Sequence, residues 1–125
     1  MVTLQQMLSS ANDEVPKVTA EEAHELISGR DALLVDVRDA PELAAQGKLR
    51  GAVNVSRGMI EFRAAPDGSY HNPEFRIERP VILYCASGGR SALAGKTLRE
   101  MGFNEVYNLG GFKEAVADGF PTETE

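Results

Sequence analysis

Val81-Ile82-Leu83-Tyr84-Cys85 runs directly into Ala86-Ser87-Gly88-Gly89-Arg90-Ser91, and the reading of this junction decides the fold. Four apolar or aromatic residues in succession, 81–84, read as a strand buried on both faces. Residues 91–101 (SALAGKTLREM) read as a helix with Leu93, Thr97, Leu98 and Met101 along one stripe. In an open α/β sheet, sites form at the carboxyl ends of strands. Cys85, the only cysteine in the chain, stands at such an end, facing loop N–H groups and the positive end of a helix dipole. Arg90 adds a full positive charge. A thiol in that setting is expected to ionise near neutral pH and to act as a nucleophile. Lone cysteines more often behave as small inert core hydrophobes, but that role requires neither the two glycines nor the arginine.

Working outward, the same alternation recurs. Residues 3–10 read as a short helix, followed by a polar connection through Pro16 and a brief strand at Val18. Thr19 and Glu22 form a capping box for a helix that Gly29 is expected to stop near Ser28. Residues 32–37 (ALLVDV) are a strand. Asp39 or Ala40 caps the next helix, with Pro41 in its first turn and Gly47 at its end. Residues 52–55 and 105–109 are further strands, and residues 112–117 a last helix. Residues 56–79 are the least periodic, with a helical turn or two near 57–62 and breaks at Pro66-Asp67-Gly68 and His71-Asn72-Pro73. Gly102 ends the central helix. This order predicts an α/β domain with a mostly parallel sheet. Residues 1–17 form an N-terminal helix and connection, and residues 18–125 the domain proper.

At 125 residues, 42% of them hydrophobic, the chain makes one domain with a real core. The net charge of −6 argues against a nucleic-acid partner or an anionic membrane surface. An anionic substrate must therefore be captured by local positive potential. Residues 1–12 lack the pattern of a secretory signal, and no apolar stretch reaches membrane-span length. One cysteine cannot form an internal disulfide, which predicts a cytoplasmic protein whose resolving thiol, if Cys85 is catalytic, comes from outside. His24, read as a surface residue, and His71 have no companions at ligand spacing, so neither a metal nor any other cofactor is expected.

These residues resemble the rhodanese family of sulfurtransferases over about 18–121. The pieces fall in family order: Leu34-Val35-Asp36-Val37-Arg38, Glu42, Gly47-Lys48-Leu49-Arg50-Gly51-Ala52-Val53-Asn54-Val55, the Cys85–Ser91 loop, and Asn108-Leu109-Gly110-Gly111-Phe112. Lys48 and Arg50 stand where the family commonly has His and Pro, and are read as changes near the rim of the site. The resemblance implies a rhodanese-like parallel sheet of about five strands flanked by helices. It also implies transfer of sulfane sulfur through a persulfide on Cys85. The partners would be a small anionic sulfur donor such as thiosulfate and a thiol or cyanide acceptor, or a protein sulfur acceptor.

The residues support that chemistry directly. Thiol exchange at sulfur needs an ionised nucleophile and a stabilised anionic leaving group. Backbone N–H groups from Ala86, Ser87, Gly88, Gly89 and Arg90, curled around the sulfur, can hold a persulfide anion, with the glycines permitting the close approach. Arg90 can pair with sulfonate oxygens. The hydroxyls of Ser87 and Ser91 are lesser candidates for binding, and Ser91 is favoured as the N-cap of its helix. Asp36 and Arg38, at the end of a neighbouring strand, read as an ion pair bracing strand and loop. Gly110-Gly111 reads as a tight turn near the site.

Four other readings compete. A cysteine phosphatase or arsenate reductase uses thiolate, loop amides and arginine in a Cys-x5-Arg signature, whereas four residues separate Cys85 from Arg90 here. A persulfide carrier serving a partner protein would share every residue of the sulfurtransferase; a non-catalytic binding module would not need Cys85. Gly95-Lys96-Thr97 ends like a phosphate-binding loop, but its leading glycine would have to stand at Arg90.

Overall fold

The computed structural model describes residues 1–124; Glu125, the last residue of the expected domain, lies outside them. In chain order the elements begin α1 (Leu4–Glu14), α2 (Ala20–Arg30), β1 (Leu33–Asp36), α3 (Ala40–Gln46), β2 (Lys48–Leu49) and β3 (Val53–Asn54). A 3₁₀ turn (Arg57–Met59) leads into α4 (Ile60–Ala64), β4 (Val81–Cys85), α5 (Gly89–Glu100), β5 (Val106–Gly111), α6 (Phe112–Ala117) and β6 (Thr122–Glu123).

The main sheet is parallel throughout, in the order β3-β1-β4-β5. β4 is central because all five of its residues can be buried on both faces without leaving an unpaired polar group. The expected fifth strand at Val18 is reduced to one rung. Lys17 bridges Asn108, with Val18 N–H donating to Asn108 O at 3.1 Å and Asn108 N–H to Pro16 O at 2.9 Å. β2 and β6 form a separate antiparallel pair.

Side-chain alternation divides the core into two layers. Val81, Leu83 and Cys85 of β4 join Leu33, Val35, Val106 and the helix residues Ala94 and Leu98. Ile82 and Tyr84 face the other way, onto Ala20, Ala23, Phe112, Ala115 and Phe120. Val15, just after α1, belongs to the first layer.

The helices differ from the sequence reading in two boundaries and one buried face. α2 runs through Gly29 and stops at Asp31, which takes a left-handed conformation with φ 55°; an acid tolerates that conformation better than most side chains. α5 starts at Gly89, so Ser91 is its third residue and not its N-cap, a position held by Gly88. The deepest stripe of α5 is Ser91, Ala94, Gly95 and Leu98, while Leu93, Thr97 and Met101 are only half-buried. Small residues prevail there because the helix lies close to its neighbours: a Cβ on Gly95 would sit 2.9 Å from Val15 Cγ2.

Candidate active site

From β1 the chain moves outward to β3, and from β4 it moves the opposite way to β5. The carboxyl ends of β1 and β4 therefore open a crevice between diverging connections, the usual place for a site in such sheets. Cys85 closes β4 at this crevice, and α3 and α5 begin on either side of it.

The Cys85 side chain is fully buried beneath its own loop. Gly88 N–H donates to Sγ at 3.0 Å, and Ser91 Oγ lies 3.4 Å away. Gly88 makes this turn possible with φ 100°, and a Cβ there would stand 3.3 Å from Gly110 Cα. Burial pushes the thiol toward its neutral form. Hydrogen bonds from the Ser91 hydroxyl and from backbone groups of Ser91, Ser87 and Gly88 outweigh that effect and hold Cys85 below the ordinary thiol range. Ala86 and Ser87 form the exposed crest of the loop, and Gly89 and Arg90 are half-buried.

Arg90 does not point at the sulfur alone in empty space; it grips Glu42. Nη1 and Nη2 meet the two carboxylate oxygens at 2.8 and 3.0 Å, a bidentate pair across the crevice. Glu42 also accepts from Asp39 N–H at 3.0 Å, as the third residue of α3 in a capping box. The Arg90 hydrogen bonds overcome partial desolvation and lower the Glu42 carboxyl to about 2. Glu42 in turn raises the Arg90 guanidinium, so both groups stay charged.

Asp36 and Arg38 make a second ion pair, with both side chains fully buried. Arg38 Nη2 reaches Asp36 Oδ2 at 2.8 Å and Gly47 O at 2.8 Å, and Nη1 reaches Gln46 Oε1 at 3.0 Å. Its guanidinium lies 4.3 Å from the Phe112 ring centroid. These contacts knit β1 to the start and end of the α3 connection. Lys48 and Arg50, expected near the rim, serve elsewhere. Lys48 donates to Ala52 O and pairs with Glu123, and Arg50 lines a cleft with Asp31, Leu33 and Arg79 at the amino-terminal end of β1. Between them Leu49 is drawn inward, its N–H donating to Tyr84 Oη at 3.0 Å.

The sequence reading did not assign chemistry to Glu42 or Asn108, although both stand in the quoted motifs. Glu42 carries a capping signature that masks its second partner. Asn108 accepts the Ser91 hydroxyl at 2.8 Å through a contact spanning two elements, which no local pattern announces. A cleft of about 330 Å³ beside the loop is lined by Leu8 and Asn12 of α1, Lys17, Ser87, Asn108 and Glu114. Among the described residues no cluster of His, Cys, Asp or Glu side chains could hold a metal, and no helix is long and apolar enough to cross a membrane.

Known proteins of this shape agree with the geometry. Thiosulfate sulfurtransferase GlpE from Actinobacillus succinogenes is 32% identical over 86% of this chain and 90% of its own length. An uncharacterised Bacillus subtilis protein, YqhL, is 40% identical over 68% of this chain, which spans 61% of that protein. The chain spans only 28% of the tRNA uridine(34) hydroxylase of Acinetobacter baylyi, at 36% identity over 73% of this chain. Among solved structures, a Rhodopseudomonas palustris protein of unknown function, described as a possible tyrosine phosphatase, superposes with a TM-score of 0.88 at 36% identity, covering 98% of this chain and 96% of its own. The polysulfide-sulfur transferase homodimer of Wolinella succinogenes gives 0.75 at 34% identity, over 94% and 85% of the two chains. The rhodanese-like domain profile matches residues 19–118, and the chain belongs to that family.

Proposed function

We propose that this protein is a sulfurtransferase that takes a sulfane sulfur from thiosulfate, or a donor of the same kind, onto Cys85 and passes it to a thiophilic acceptor. The Cys85 thiolate attacks the outer sulfur of thiosulfate, the sulfur–sulfur bond of the donor breaks, and sulfite leaves with the electron pair. Cyanide or a thiolate then attacks the outer sulfur of the persulfide, and the electron pair of that bond returns to Sγ as thiolate. Neither step needs an external oxidant or reductant. The observation that carries this reading is the tight loop itself, whose Gly88 N–H already lies 3.0 Å from Sγ. Amides from Ala86 to Arg90 would receive the second sulfur, and Arg90, exchanging Glu42 for the donor, would receive sulfonate oxygens. Asp36 and Arg38 support the loop without touching substrate.

Family membership supports sulfur transfer in general, and the GlpE relative favours thiosulfate as donor. The polysulfide-sulfur transferase likeness is consistent with a polysulfide as an alternative donor, and a persulfide carrier serving a protein partner would use the same Cys85 adduct. A cysteine used as thiolate and unable to pair internally suits the reducing cytoplasm. The competing phosphatase reading, raised by the description of the Rhodopseudomonas neighbour, needs room in the loop for a phosphoryl group. The four-residue spacing between Cys85 and Arg90 argues against it.

Intact mass after incubation with thiosulfate tests the proposal. The expected result is a gain of one sulfur atom that cyanide or dithiothreitol removes and that Cys85→Ser never acquires. A folded protein that gains no sulfur, or that turns over an aryl phosphate in a Cys85-dependent way, would overturn it.

A further inference from the structure

At Asn108 the register of β5 slips: Leu83 pairs with Asn108, but the next residue, Tyr84, pairs with Gly110, so Leu109 is the extra residue of a bulge. The Asn108 side chain is buried, and each of its polar atoms is engaged. Oδ1 accepts from Ser91 Oγ at 2.8 Å and from Gly110 N–H at 2.9 Å, and Nδ2 donates to Gly88 O at 3.1 Å. An N–H on one side and a carbonyl on the other fix the orientation of the amide. A carbonyl oxygen only accepts. The single proton of the Ser91 hydroxyl is therefore committed to Asn108, and the oxygen presents only lone pairs to Cys85 Sγ at 3.4 Å. That arrangement suits a thiol, which can donate its own proton to Ser91. It does not suit a thiolate, which must receive one.

We propose that Asn108 is a positioning residue, the resting acceptor of a two-position hydroxyl. Ser91 donates to Asn108 while Cys85 carries a proton or a second sulfur, and swings to donate to Sγ when Cys85 is a thiolate. Asn108 thus competes with the thiolate for one proton, and Gly110 N–H keeps Oδ1 satisfied when Ser91 leaves. In sulfur release, the acceptor takes the outer sulfur, the electron pair of the broken bond returns to Sγ, and Ser91 turns to meet it. This persulfide limb rests on the proposed sulfur transfer; the thiol limb does not. The charged groups around the site are the Arg90–Glu42 pair on α5 and α3, the Asp36–Arg38 pair at the end of β1, Lys17 before the α2 cap, and Glu114 on α6. Both ion pairs are internally satisfied, and the hydrogen-bonding neighbours of Sγ are Ser87, Gly88 and Ser91, none of them charged.

Because Cys85 is the only cysteine, ultraviolet thiolate absorbance against pH reports its titration alone below the tyrosine range. Asn108→Leu removes the competing acceptor and should lower the midpoint by roughly half to one pH unit, the worth of one net hydrogen bond. Asn108→Asp strengthens the acceptor and adds a negative charge, and both raise it; the acceptor's share is the part of the rise that requires the Ser91 hydroxyl. In a Ser91→Ala background, Asn108→Leu should lose its effect. Shifts of the same sign, or a full Asn108→Leu shift without the Ser91 hydroxyl, would overturn the proposal. If Asn108→Leu fails to fold by circular dichroism, Asn108→Asp compared with and without Ser91→Ala carries the test, and a rise that is as large without the hydroxyl, or no rise at all, overturns it. Absence of a persulfide in the mass assay would leave this titration untouched, so the two proposals fail separately.

Discussion

Glu42→Gln should make the protein a better thiosulfate binder. In the free protein Arg90 is held by two hydrogen bonds to Glu42, at 2.8 and 3.0 Å. An anionic donor that uses Arg90 must displace or share that carboxylate, so it exchanges one charge-assisted contact for another. A full contact of this kind is worth about 1.5–3 kcal/mol. The Arg90 and Glu42 side chains are 36% and 32% exposed, however, and solvent screening reduces such a pair to about 1 kcal/mol at most. Removing the competitor should therefore lower KM for thiosulfate by up to about fivefold, since about 1.4 kcal/mol corresponds to tenfold. Arg90→Ala should raise KM by a similar factor, well short of what a free arginine would give. The assay is steady-state thiocyanate formation from thiosulfate and cyanide, run beside an uncharged persulfide donor on which neither substitution should change KM. If Glu42→Gln raises KM for thiosulfate as Arg90→Ala does, Glu42 aims the arginine and does not compete with the donor, and the argument is refuted.

Three further outcomes follow from the same contacts. Asp36→Asn leaves the fully buried Arg38 guanidinium without its counter-ion and should destabilise the fold by about 3–5 kcal/mol in urea unfolding; a loss under about 1 kcal/mol would show that Gln46, Gly47 and Phe112 suffice. Gly88→Ala must adopt a φ near 100° and crowd Gly110, costing about 1–2 kcal/mol of stability. Relief of that crowding shifts the loop and draws the residue-88 N–H away from Sγ, so persulfide loading from thiosulfate should slow about tenfold, the effect of about one lost hydrogen bond. The Glu42 carboxyl, lowered to about 2 in the fold, gives a stabilisation that is complete above pH 4.5 and disappears as pH falls through 2. The acid slope of the melting temperature across that window should be shallower in Glu42→Gln, and an unchanged slope would show that the pair adds nothing to stability.

Much of the fold is legible in local pattern. The apolar run 81–84 and the segment 32–37 are written for strands buried on two faces, and the capping box at Thr19 and the Asp39-Ala40-Pro41 start mark their helices. These signals survive because they depend on residues a few positions apart. The fifth strand, the start of α5 and its buried stripe were not legible in the same way. Lys17 forms a single bridge only because Asn108 lies opposite it, and Gly88 caps α5 because the Cys85 loop must curl under Gly110.

The same division runs through the site. Sequence alone determined that Cys85 stands at the end of a central strand, that a glycine-rich loop follows it, and that one arginine lies within that loop; each is a statement about neighbours along the chain. Tertiary structure alone decided what those groups face. Arg90 meets Glu42 across 48 residues of chain, and Ser91 meets Asn108 across 17. Both contacts depend on where the crossovers of the parallel sheet set α3, α5 and β5, and on a one-residue bulge that turns Asn108 toward the loop. Hydrogen-bond direction and ion-pair competition are properties of atoms brought together in space, and a pattern of residue types does not specify them until the sheet order and register are known.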